Sequence, residues 1–254
     1  MLALALTMTF CGAPRAQGAA EWSVYRGDSA LSGIAACELP ERLELLWTYD
    51  TGKAVVSSPV VVDGRVYVGS DDKHLHAIDF ESGAPVWKFA TEDIIEAPPL
   101  VREGVVYCGS ADMRVYAVAA ATGEERWRFE GGDQFLGGAN WLPATEELGA
   151  RIVVGCYDNK LYCLDAASGA KVWEYQTENY VNGTPAVAGQ QVVFGGCDAV
   201  LHVVDGVTGL ASAEIALGEA CHVAGSTAVV DGRAYLGHYG NAFVCVDLAS
   251  GETV

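Results

Sequence analysis

The chain has 254 residues, 51% of them hydrophobic and 19% charged, which excludes a disordered chain and suffices for a substantial buried core. Fifteen Lys and Arg stand against 33 Asp and Glu, a net charge of −18. A surface of that sign repels phosphate backbones and anionic headgroups, so nucleic acid is not an expected partner, and the scattered acidic residues read as a solubilising surface.

Taken in chain order, residues 1–20 come first. An apolar run from Leu2 to Phe10 precedes small residues that offer cleavage sites near Ala16 to Ala20, the pattern of a signal peptide. The run is too short for a transmembrane helix. Cys11 is a candidate lipid-attachment residue, but Met8-Thr9-Phe10 before it are not the small residues that processing favours, so an anchor there is the less favoured reading. A secreted or periplasmic location follows. Residues 21–42 read as an extended N-terminal segment, and 43–49, "LELLWTY", as an outer strand with no inner strands before it.

From there to residue 254 the chain repeats itself. Gly69, Gly109, Gly155, Gly195 and Gly237 end apolar runs at intervals of 40, 46, 40 and 42 residues, a period in the range of a propeller blade. Trp47, Trp87, Trp127 and Trp173 keep the same beat, with Ala213 where the next would fall. Blades are expected near 50–90, 91–130, 131–176, 177–216 and 217–254, and the longer interval fits one hairpin, "PATEELGAR" (143–151). In the first blade Ser58 to Val62 reads as the inner strand, Asp63-Gly64 as a two-residue hairpin turn, Arg65 to Ser70 and Leu75 to Asp79 as the middle strands, and Pro85 to Ala90 as the outermost. No helical periodicity of useful length appears, so the expected fold class is all-β: four-stranded antiparallel blades, about five of them.

The recurring motif has a mechanical reading. Asp79, Asp165, Asp205 and Asp247 can accept amide hydrogens from the turn that follows each. Gly83, Gly123, Gly169, Gly209 and Gly251 suit left-handed backbone within those turns. Each Trp then bridges to a neighbouring blade, its indole N–H donating to a backbone carbonyl there. Ala119 replaces Asp in the second blade and Ala213 replaces Trp in the fourth, marking the two weakest clasps.

The cysteines after residue 20 are odd in number, contain no CxxC and follow the repeat, so they read as small buried strand residues; a cross-link of Cys156 with Cys197 is the alternative. His76 and His202 share a repeat position with Tyr116 and Tyr162, which is packing behaviour rather than metal ligation. No catalytic constellation and no metal site is assigned. The loops from each outer strand to the next inner one should converge on the axis, and Glu96, Asn182 and His222 are their polar members nearest the expected channel; ordinary channel lining is the favoured reading, with peptide or protein contact and then quinone or metal binding as the alternatives.

Ala77-Ile-Asp79-Phe-Glu-Ser82-Gly83-Ala-Pro-Val-Trp87 resembles the tryptophan-docking repeat of the pyrroloquinoline-quinone (PQQ) β-propellers, a superfamily that includes quinoprotein alcohol dehydrogenases and BamB-like outer-membrane assembly lipoproteins. "EWSVYRGDSALSG" (21–33) is similar to the opening found before many secreted non-enzymatic members. Members usually carry eight blades, which implies an open arc from a larger ring; closure of a five-bladed ring by residues 43–49 is the alternative. For the enzymatic branch the resemblance implies PQQ, a calcium ion held by Glu and Asn, an Asp base and two adjacent cysteines. No Cys-Cys pair occurs here. The reading favoured is a non-catalytic scaffold for a protein or peptide partner, without a cofactor; a fragment of a PQQ-dependent dehydrogenase using PQQ with calcium is the alternative.

Overall fold

The computed structural model describes residues 21–254 except 36, 39, 40 and 220; the segment expected to be a signal peptide (1–20), with Cys11, lies outside the described residues. Nineteen strands and no helix make up the described part. The first sheet joins β1 (Val60–Val62), β2 (Arg65–Ser70), β3 (His74–Asp79) and β4 (Pro85–Ala90) in sequence order. The second joins β5 (Leu100–Arg102), β6 (Val105–Gly109), β7 (Arg114–Ala119) and β8 (Glu125–Glu130), and the third β9 (Asn140–Leu142), β10 (Arg151–Cys156), β11 (Lys160–Asp165) and β12 (Lys171–Gln176). The fourth contains β13 (Ala186–Ala188), β14 (Gln191–Gly195), β15 (Val200–Asp205) and β16 (Ala211–Ala216). The fifth has three strands, β17 (Ala228–Val230), β18 (Arg233–His238) and β19 (Ala242–Asp247), with an isolated bridge from Val246 to Thr253 beyond.

Every pairing is antiparallel. The inner strands are shorter than the expected Ser58 to Val62. Pro59, Pro99 and Pro185 each stand just ahead of one, and a residue without an N–H cannot extend the ladder inward. Asp63 and Gly64 both adopt positive φ, 50° and 70°, as a two-residue hairpin between right-twisted strands requires.

Inner strands follow one another around an axis: β1 packs on β5, β5 on β9, β9 on β13 and β13 on β17. The middle strands are apolar on both faces, so the core runs as four clusters between successive sheets. The result is an open arc of five blades. Closure by residues 43–49 does not occur: that segment pairs with no strand, and Leu45 and Leu46 are 82% and 78% exposed. It is anchored by side chains alone, Trp47 lying over Gly83 and Tyr49 packing on His76 of the first blade.

The segment preceding the repeats is built into them. A short inner strand exposes one inward-facing N–H at its middle residue, and an unpaired edge of that kind is costly when buried. Trp22 exchanges both backbone hydrogen bonds with Val61 (2.9 and 2.8 Å). Val101, Val187 and Val229 donate to the carbonyls of Ser23 (2.8 Å), Ser29 (2.6 Å) and Ala30 (2.8 Å). In the third blade Trp141 N–H is met instead by the Asn140 side chain (2.7 Å), whose amide in turn donates to the Ser29 carbonyl (2.7 Å). Residues 22–30 thus reach the inner strand of all five blades, and Val24 and Leu31 are fully buried among the clusters.

Candidate functional site

Two arrangements repeat around the arc, one at its rim and one at its axis. At the rim, the Asp of each turn accepts from the backbone three residues on: Ser82 N to Asp79 (2.8 Å), Ser168 N to Asp165 (2.8 Å), Thr208 N to Asp205 (2.7 Å) and Ser250 N to Asp247 (3.0 Å). Hydrogen bonding favours the ionised form, and Asp79 is held below the usual carboxylate range chiefly by the Ser82 hydroxyl, Asp205 and Asp247 chiefly by the turn amides. In the second blade Ala119 has no such acceptor, and Thr122 N–H turns to the Ala119 carbonyl (3.2 Å).

Each indole then crosses to the next sheet. Trp47, Trp87, Trp127 and Trp173 donate through Nε1 to the carbonyls of Phe80 (2.9 Å), Ala120 (3.0 Å), Ala166 (3.0 Å) and Gly206 (3.0 Å). Their rings lie flat over Gly83, Gly123, Gly169 and Gly209. At Gly169 a Cβ would come within 2.5 Å of the Trp127 ring, and its φ of +73° is itself unfavourable for any side chain. The glycine is needed twice over, by the turn and by the ring.

A second ring pair lies one layer in. Tyr49, Phe89, Phe129 and Tyr175, each two residues after the Trp, pack edge-on against His76, Tyr116, Tyr162 and His202 of the next blade. Where the inner ring is His the outer one is Tyr, whose hydroxyl lies 3.1 Å from the imidazole Nδ1; where the inner ring is Tyr the outer one is Phe. In all four the inner ring also meets an Asp on the preceding turn: Asp72, Asp112, Asp158 and Asp198. These histidines are therefore filled on both nitrogens.

At the axis the loops between blades press together. Ser57 Oγ donates to the Ala97 carbonyl (3.0 Å), Gly138 N to Thr184 Oγ1 (3.0 Å) and Thr184 N to Ser226 Oγ (2.9 Å). Their inner wall encloses a funnel of about 230 Å³ that includes Val56, Glu96, Leu136, Asn182 and Ser226, with Tyr25 of the N-terminal segment against it. Glu96 and Asn182 are thereby brought to one cavity. His222 is not among its lining residues. It borders a separate cleft of about 520 Å³ with His238, Tyr239 and Phe243 in the fifth blade, and its Nδ1 contacts the Cys197 carbonyl. Tyr25 was invisible as a site residue from sequence, because only the path of 22–30 across the inner strands carries it there.

The cysteines from Cys37 onward are all free thiols, so Cys156 and Cys197 are not cross-linked; Cys156 Sγ donates to the Asp133 carbonyl (3.2 Å). Burial pushes the thiols of Cys108, Cys156 and Cys163 up to about 12, which leaves them protonated and unreactive at neutral pH.

A family described as outer membrane protein assembly factor BamB matches this sequence over residues 40–142 and 114–254. The chain belongs to this BamB-like family of PQQ-type β-propellers. Among solved structures, BamB from Moraxella catarrhalis is 24% identical, with a TM-score of 0.65 over 77% of this chain and 59% of that one. A europium-containing methanol dehydrogenase is 14% identical with a TM-score of 0.77, covering 92% of this chain and 57% of that one. A quinohemoprotein alcohol dehydrogenase from Comamonas testosteroni is 16% identical with a TM-score of 0.77, covering 92% and 48%. The chain thus spans roughly half to three-fifths of the length of these structures. No curated protein sequence matches significantly.

Two of the structures that share this fold are dehydrogenases, one of them a quinohemoprotein, so the funnel of this BamB-like chain can be tested against PQQ. PQQ is a flat tricarboxylate, which calls for cationic side chains or a divalent cation beside a planar apolar slot. The funnel's one ionisable carboxylate is Glu96, of the wrong sign, and no Lys or Arg lines it. Among the described residues no three His, Cys, Asp or Glu side chains come together as a metal site. The residues present do not fit the quinone.

Proposed function

We propose that this protein is a non-catalytic propeller scaffold, secreted or periplasmic, that holds a protein or peptide partner at the axial mouth of its blades, as a member of the family named for the outer membrane protein assembly factor BamB. The observation that carries this reading is the axial funnel, which brings Glu96 and Asn182 together with Tyr25, Ser58, Thr184 and Ser226. Val55, Val56 and Tyr180 stand exposed on the same loops, an apolar rim around a small polar centre, which is the composition of a peptide-binding surface. In this reading Glu96 takes a cationic group of the partner, Asn182 a backbone amide, and His222 flanks the surface on the fifth blade.

A photo-crosslinking residue placed at Val56 in the full chain tests this. A discrete partner adduct is expected there and not from Lys88 on the outer strand of the same blade, and Glu96→Lys with Tyr180→Ala should reduce its yield severalfold. Equal labelling from both positions would remove the assignment.

The second reading, a portion of a PQQ-dependent dehydrogenase, is favoured by one observation: the two dehydrogenase structures superpose over 92% of the chain. Addition of PQQ, calcium and an alcohol with an artificial electron acceptor separates the two. No turnover is expected; cofactor-dependent turnover would establish the dehydrogenase reading.

A further inference from the structure

The clasp between the fourth and fifth blades has no ring. Elsewhere each clasp consists of an indole, a glycine beneath it and a carbonyl that accepts its N–H. Here Ala213 stands at the tryptophan position, Gly251 is the glycine and Leu248 carries the carbonyl. A Cβ built on Gly251 meets only Ile215, at 3.7 Å, whereas the four occupied glycines have an indole at 2.5 to 2.8 Å. Ile215 leans toward the gap but has no donor, and among the described residues no side chain donates to the Leu248 carbonyl. What is left is a cleft of about 600 Å³ bounded by Ala213, Glu214, Ile215, Leu248 and Gly251.

We propose that this cleft is a docking site for a tryptophan side chain presented by a partner protein. The occupant is specified four times within the same molecule: a flat aromatic that covers a glycine and donates one hydrogen bond to the carbonyl beside it. A phenyl ring would cover Gly251 but leave Leu248 unpaired. Because Ala213 already holds the place in β16, the ring has to arrive from solvent and not from the strand. Glu214 on the wall, Glu252 next to Gly251 and a net charge of −18 favour a partner segment with Lys or Arg beside its tryptophan.

The peptide acetyl-Lys-Trp-Lys-amide, titrated into the isotopically labelled full chain and followed by backbone amide NMR, tests this. Shifts are expected at residues 213, 214 and 249–251. The same peptide with Phe, or with 1-methyltryptophan, should bind roughly fivefold or more weakly, having lost the hydrogen bond. Ala213→Trp should raise the melting temperature and abolish the shifts; Ala213→Leu, a smaller filler, should weaken them if the larger variant fails to fold. Glu96→Lys should leave them unchanged, so the outcome is independent of the axial site. Absence of shifts in that region, equal binding of the Phe peptide, or undiminished binding to a folded Ala213→Trp chain would overturn the proposal.

Discussion

Trp127 makes two separable contributions: a ring over Gly169 and an N–H to the Ala166 carbonyl. Trp127→Phe removes the second and trims the first and should cost about 1–3 kcal/mol, whereas Trp127→Ala opens a full cavity between buried sheets and should cost roughly 3–5 kcal/mol, both read from urea denaturation. The alternation of Tyr–His with Phe–Tyr pairs makes a second prediction at this scale. His76→Tyr alone crowds the Tyr49 hydroxyl, while Tyr49→Phe with His76→Tyr recreates the second blade's pair. A double-mutant cycle should show the combination recovering most of the single loss.

His76 also sets a pH dependence. Burial disfavours its imidazolium more than Asp72 favours it, so its pKa is held below the ordinary 6.5. As pH falls through 6.5 the unfolded chain takes up a proton that the folded chain resists. The contribution is therefore full above that value and is lost as pH falls toward the depressed one. The urea midpoint should decline between pH 7 and 5, and decline less in the Tyr49→Phe, His76→Tyr chain, where no imidazole titrates at that position. A further decline below pH 4 is expected as Asp79, Asp205 and Asp247 protonate and release their turns.

At the scale of elements, the N-terminal segment behaves as a shared sixth component of the five sheets. Its carbonyls meet the inward N–H groups of Val101, Val187 and Val229, and Trp22 pairs with Val61. Val24→Asp places an unpaired carboxylate in the core between the second and third blades. Amide exchange at Val61, Val101, Val187 and Val229 should then accelerate together by an order of magnitude or more, while the middle strands β6 and β10 stay protected. Exchange confined to Val101 would mean that the segment does not act as one unit. The strands themselves were readable because each is written locally: β2 and β4 begin and end where alternation and turn residues place them. The first inner strand is shorter than its apolar run because Pro59 has no N–H to pair, as Pro99 and Pro185 have none ahead of β5 and β13; β9 and β17 are as short without a proline.

For the molecule as a whole, 33 acidic against 15 basic residues on an arc of this size produce self-repulsion that salt screens. Raising sodium chloride from about 20 to 200 mM, where the Debye length drops to roughly 10 Å or less, should raise the melting temperature by a few degrees; scanning calorimetry reads it directly. Within the arc residues 43–49 pair with no strand, and a bridge joins Val246 to Thr253 beyond the third strand of the fifth blade.

Sequence by itself determined the class of blade, the count of repeats and the family resemblance, since Asp, Gly and Trp at regular spacing are short-range requirements of a turn and of the ring packed over it. It also brought Glu96 and Asn182 to attention, because their place in the repeat implies a place near the axis. What only the tertiary structure decided is the content of that axis: Tyr25 against the funnel, and His222 in another cleft. Those depend on which carbonyl a segment over a hundred residues away in sequence meets, and that has no local signature, unlike the missing indole at Ala213, which the repeat itself reveals.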